Sequence, residues 1–239
     1  MKRVLIAIAL CIAVIMSSQA FANEKKPRIG VLRFTNQTSA GWWSGTVGTD
    51  LQDMLIAELA SMKAFRVLER KELDAVMKEQ DLGASGRVSE MTRSKIGNIT
   101  GAKYLVAATV SAFETHTSGG GGGISFKGFS IGGKKDSAYM AVDLKVIEVE
   151  TGEIADVRTV EATSKSGGLK FGGHSGGFGG SLGGYKKTPT GKAIRACIME
   201  IAEYLECSMV LGEDHRCMAD YDAKEGRRRE KTKGAIDLE

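Results

Sequence analysis

The spacing of hydrophobic positions changes several times along the chain. Residues 28–34 carry Ile29, Val31 and Phe34 in a short apolar stretch that predicts a strand. Val47, Leu51, Met54, Leu55, Leu59 and Met62 then recur at helical spacing, one apolar face of an amphipathic helix. Thr49-x-x-Gln52 near its start has the form of a capping box. A short strand is expected at 65–68 and a second helix at 70–80, with Leu73, Val76 and Met77 inward. Gly83 and Gly86 interrupt the pattern, and 89–98 reads as a third, weaker helix. Residues 102–113 form a strand rich in Val and Ala. Strands alternating with helices predict an α/β domain with a mixed sheet, α+β overall once the second half is included.

That second half is built differently. Ala138, Met140, Val142, Leu144 and Val146 alternate with Ser137, Tyr139, Asp143 and Lys145, a strand with one apolar and one polar face. Thr151-Gly152 turns the chain, and 154–162 returns antiparallel. Two glycine tracts flank this pair. Gly119 to Gly123 are five in succession, and ten of the eighteen positions in 167–184 are Gly, too many for an ordinary strand. Thr188-Pro189 then opens a helix cleanly, with Thr as N-cap and Pro in the first turn. Its buried stripe is Ala193, Ile194, Cys197, Ile198, Ile201, Leu205 and Met209, and Gly212 stops it. Residues 213–239, charged and ending in a polar stretch after Arg227-Arg228-Arg229, are expected to be a disordered tail.

The first residues set the compartment. Lys2 and Arg3 precede an apolar run over 4–16, and Ala20-Phe21-Ala22 supplies a small-x-small cleavage pattern, so residues 1–22 read as a signal peptide. Cys11 lies inside the apolar run behind Leu10, which argues against a lipoprotein signal. The expected location is the periplasm or outer membrane. The formal charge of +4 falls to +2 when Lys2 and Arg3 leave with the leader, too near neutral to suggest nucleic acid as a partner.

Little in the sequence points to chemistry. Cys197 falls in a helical stripe and reads as a buried thiol, while Cys207 and Cys217 are a possible disulfide across Gly212 in an oxidising compartment. His116, His174 and His215 are isolated, and His215 near the two cysteines matches no zinc spacing, so no metal site is expected. Neither glycine tract ends in Gly-Lys-Ser/Thr, which excludes a phosphate loop of that type. No nucleophile–base set is legible; the reading is of a non-enzyme without cofactor.

Several segments, in order, resemble the curli-secretion channel (CsgG) family. They are the helix over 51–59, Phe65-Arg66-Val67-Leu68-Glu69-Arg70, and Gly101-Ala102-Lys103-Tyr104-Leu105-Val106. Val142-Asp143-Leu144-Lys145-Val146 running into Glu150-Thr151-Gly152-Glu153-Ile154 follows, and Thr188-Pro189-x-Gly191-x-Ala193 completes the set. The resemblance covers about 28–211 and implies a domain over 23–212. It implies a homo-oligomeric ring in the outer membrane, each subunit giving a periplasmic α/β domain and two β-hairpins to one shared transmembrane barrel. Unfolded polypeptide would be the exported substrate, with no nucleotide hydrolysed. By the same resemblance, the hairpins correspond to about 116–145 and 158–187, and a loop after the first strand narrows the channel. Here that loop is 40–46, and Trp42 and Trp43 would form an indole collar.

A membrane-crossing strand needs about 9–11 residues with apolar side chains alternating outward, and only a closed barrel satisfies its backbone. The lipid-facing candidates are Ile124, Phe126, Ala138, Met140 and Val142 in the first hairpin, and Phe171, Phe178 and Leu182 in the second. The second set is sparse for a lipid belt. An exported adaptor or assembly factor without a pore is therefore the competing reading.

Overall fold

A computed structural model describes residues 26–119, 125–126, 129–130, 134–165 and 188–235. The expected leader and most of both glycine tracts lie outside the described residues. Strand β1 (Arg28–Val31) leads through β2 (Thr35–Asn36) into helix α1 (Val47–Met62), followed by β3 (Arg66–Leu68) and α2 (Leu73–Ala84). Next come the long strand β4 (Tyr104–Gly119), two short strands β5 (Ser125–Phe126) and β6 (Phe129–Ser130), and the long strands β7 (Lys134–Glu148) and β8 (Ile154–Lys165). The chain closes with α3 (Pro189–Glu206), a single π-helical turn (Cys207–Leu211), and α4 (Arg216–Lys233).

The main sheet has the order β3-β1-β4-β7-β8, with β2 also on β4. Pairing is parallel on the β1 side and antiparallel from β4 to β8, so the sheet is mixed as expected. β1 is an interior strand, between β3 and β4, and its Ile29-Gly30-Val31 are all buried. Helices α1 and α3 lie together on one face, α3 across β7 and β8. Leu51, Leu55 and Leu59 of α1 share one core with Cys197, Ile201 and Leu205 of α3 and with Val106, Met140 and Leu144 of the sheet. A fully buried leucine of this kind contributes about 2–3 kcal/mol by removal of its surface from water.

Five expectations change. Gln52 makes no capping box: it is buried and its Nε2 donates to the Val31 carbonyl at 2.7 Å. Helix α1 starts earlier, with Thr46 as N-cap, because Gly48 packs directly beneath the carbonyl of Phe34 and its own carbonyl accepts from the Phe34 N–H at 3.1 Å. The segment 89–98 is a series of turns instead of a helix, held by local bonds from Thr92 and Arg93 back to Ser89.

The expected tail at 213–239 is ordered as α4 over Arg216–Lys233. Its charges are helix-spaced pairs: Glu225 binds Arg228 and Arg229 at 2.7 Å each, three and four residues on. Its aromatic residue is also seated: Tyr221 meets Tyr204 edge-on at 5.1 Å. Finally, Ala138, Met140 and Val142 are buried in the core on the helix side of β7. That placement leaves these three no lipid-facing surface, because α3 occupies the space in front of them.

Candidate functional site

The loop between β2 and α1 is fixed at both ends by backbone and side-chain bonds. Gln37 N–H donates to the Val110 carbonyl at 2.9 Å, tying the loop's start to β4. Asn36 Oδ1 accepts from Thr38 N–H at 3.0 Å and from the Thr38 hydroxyl at 2.8 Å, and Thr38 Oγ1 accepts from Ala40 N–H at 3.2 Å. These are the short polar turns Asn and Thr make with their own backbone. Trp43 N–H then closes a turn on the Ala40 carbonyl at 3.0 Å, and Arg33 Nη2 donates to the Gly45 carbonyl.

The two indoles stack on one another and on the sheet. Trp42 and Trp43 meet edge-to-face with centroids 5.6 Å apart, and Trp42 meets Phe113 the same way at 5.0 Å. Edge-to-face pairs of this kind add about 0.5–1.5 kcal/mol beyond burial. Both tryptophans are half-buried and rest against the core. The Trp42 indole N–H is buried without an acceptor among the described residues, so apolar contact alone holds that ring.

Phe113 is in reach because of an irregularity in β4. Up to Val110 the even-numbered residues face the core; opposite β7 the register then skips from Val110 to Ala112. One extra residue, Ser111, turns the strand over. Phe113 now pairs with Met140 and shares its helix-side face. The sequence offered only a faint signal of this bulge, the apolar alternation breaking after Val110, and Phe113 was not singled out from it.

Beyond the bulge, β4, β7 and β8 form a three-stranded arm. The β4–β7 ladder continues to Gly119 opposite Lys134, and β7–β8 continues to Ser137 opposite Lys165. Among the described residues no strand pairs with the edge of β4 opposite β7 past Val110, nor with the outer side of β8. Phe126 stands in β5 opposite Phe129 of β6. Ile124, Phe171, Phe178 and Leu182 lie outside the described residues. No described helix is long and apolar enough to cross a membrane.

A family model described as the curli production assembly/transport component CsgG matches residues 13–236. The chain belongs to this family. Over 105 residues it is 28% identical to the curli production assembly/transport components CsgG of Salmonella typhimurium and Escherichia coli. That stretch is 42% of this chain, and the chain spans only 38% of the length of these relatives. Among solved structures, a hypothetical protein from Chlamydia trachomatis aligns over 76% of this chain and 97% of its own, at 14% identity and a TM-score of 0.45. A PelC dodecamer subunit from Paraburkholderia phytofirmans aligns over 74% and 86%, at 12% identity and a TM-score of 0.39.

The remaining candidate residues sit at the far end of α3. Cys207 and Cys217 are bonded, with Cα atoms 6.1 Å apart, and His215 places Nδ1 2.8 Å from Cys217 Sγ. Cys197 is a free, fully buried thiol, and burial pushes its pKa well up. The cleft of about 200 Å³ between β8 and α4 is lined by charges that bind one another: Lys224 with Glu200, and Arg228 with Glu225. With those charges paired, the cleft offers a ligand little electrostatic attraction.

Proposed function

We propose that the chain is a subunit of a homo-oligomeric outer-membrane channel through which unfolded polypeptide is exported. The observation that carries this is the three-stranded arm, whose two edges have no strand partner among the described residues, in a member of a transport and assembly family. Unpaired strand edges seek partners, and in a bilayer a sheet must close on itself. Copies of the chain placed side by side would pair the β4 edge of one with the β8 edge of the next, as the two sides of one ring. The lipid-facing surface then falls to the glycine-tract segments, with Ile124, Phe126, Phe171, Phe178 and Leu182 as its apolar residues.

The tryptophan loop fits the narrowing of such a channel, with the two rings in different parts. Trp42, stacked on Phe113 and Trp43, anchors the loop. Among the described aromatic rings Trp43 meets Trp42 alone, and it is the better placed to meet a passing chain. Indoles offer broad apolar contact without sequence preference, which suits an extended and varied substrate.

Conductance in planar bilayers tests the proposal. Trp43→Ala should give wider, higher-conductance channels with the fold intact. Trp42→Ala should widen them too and also cost about 2 kcal/mol of stability, since its contacts with Phe113 go with it. Absence of channels from purified oligomer would reject the pore.

An exported adaptor is the second reading. Its support is the polar dressing of the arm, where the Tyr139 hydroxyl donates to Glu161 at 2.9 Å on the face away from the helices. Carbonate washing of membranes separates the two: an integral barrel stays in the pellet and an adaptor is released.

A further inference from the structure

We infer that Cys207, Cys217 and His215 form a Zn²⁺ site when the disulfide is reduced, so that one cluster has two alternative closed states. The three side chains converge from different pieces of backbone. Cys207 begins the π-helical turn after α3 and is buried; Cys217 lies in the first turn of α4; His215 is the N-cap of that helix. A tight reversal brings them together, with Gly212 N–H on the Cys207 carbonyl at 3.0 Å and His215 N–H on the Gly212 carbonyl at 3.1 Å. The Cys-x7-His-x-Cys spacing matches no familiar zinc motif; the reversal is what makes the cluster.

The two sulfurs and a ring nitrogen lie within 4.8 Å of one another. Zn²⁺ with sulfur at about 2.3 Å and nitrogen at about 2.0 Å in a tetrahedron keeps neighbouring ligand atoms roughly 3.5 Å apart. Reduction frees the two bonded sulfurs to part to that spacing, with the His215 ring nitrogen already beside Cys217 Sγ. Its composition, two soft sulfurs and an imidazole, selects Zn²⁺ over Mg²⁺ or Ca²⁺. His215 is exposed and Cys207 buried, so an ion enters from the solvent side and keeps a water as fourth ligand.

The chemistry balances with a dithiol as reductant. The Cys207–Cys217 S–S bond breaks, the dithiol becomes its own disulfide, and two thiols form. Zn²⁺ then replaces their two protons. Either state holds the end of α3 against the start of α4. Further along, α4 is docked on β8 by Arg158, which bonds Asp222 at 3.0 Å and lies over the ring of Tyr204 at 4.8 Å. The metal would keep that helix seated when the disulfide is open. None of this depends on a channel.

The test uses the purified full chain reduced with a phosphine, titrated with Co²⁺ and then Zn²⁺. One Co²⁺ per chain should bind with a thiolate-to-metal charge-transfer band, and Zn²⁺ should displace it. The oxidised chain should show no such band. Cys217→Ser should abolish the band, and Cys197→Ser should leave it unchanged. His215→Ala, at an exposed position that does not threaten the fold, should weaken binding about tenfold or more. The inference is overturned if the reduced chain binds no stoichiometric metal, if the band survives Cys217→Ser, or if His215→Ala binds like the parent.

Discussion

Gly48 shows how one position in α1 fixes the tryptophan loop. A Cβ built there would lie 2.3 Å from the carbonyl oxygen of Phe34, a backbone atom that cannot step aside. Gly48→Ala should therefore push the first turn of α1 off the β1–β2 segment and cost about 1–3 kcal/mol in urea unfolding, with the Trp fluorescence changed because the loop ends there. An alanine variant as stable as the parent would show that the close approach is not real. At this scale the sequence was legible where chemistry is local, as with Thr188, which caps α3 by accepting from Gly191 N–H at 3.1 Å. It misled where a tertiary partner outcompeted the local one. Gln52 has capping-box spacing, but the carbonyl of Val31 takes its amide instead.

Among the elements, α4 departs furthest from what its composition suggests. Its strongly charged sequence predicts a disordered tail, yet its charges are arranged to bind each other, and Tyr221 and Asp222 meet Arg158 on β8. The Arg228 guanidinium first, and Arg229 with it, hold the Glu225 carboxyl down to about 2. The folded value lies below the ordinary carboxylate range, near 4.3, so the stabilisation is present above that range and drains away as pH falls toward 2. Arg229 is well exposed, and solvent screening limits the effect to about 1 kcal/mol or less. Protection of α4 amides, taken as exchange relative to the unfolded-chain rate at each pH, should fall between about pH 4 and 2 in the parent and fall less over that window in Glu225→Gln. Arg158→Ala should raise exchange across α4 at neutral pH while the core strands stay protected; unaltered exchange would mean the helix is held elsewhere. The bulge at Ser111 was hidden for a related reason. Alternation in β4 is locally good on both sides of it, and only the pairing with β7 reveals that the faces have switched.

Taken as a whole, the molecule is a mixed sheet covered by α1 and α3 on one face, with a three-stranded arm continuing past the point where β2 ends. The strand–helix order and mixed sheet were legible because each element carries its own period. The assignment of Ala138, Met140 and Val142 was not, since a strand with one apolar face reads the same whether that face meets lipid or a helix. Moving those three into the core shifts the membrane role onto the glycine-tract segments and makes self-association the requirement on which the channel reading stands. Electron microscopy of detergent-extracted, negatively stained protein addresses that requirement directly. Closed rings with a central stain-filled pore are expected; a water-soluble monomer that forms no ring would contradict the channel.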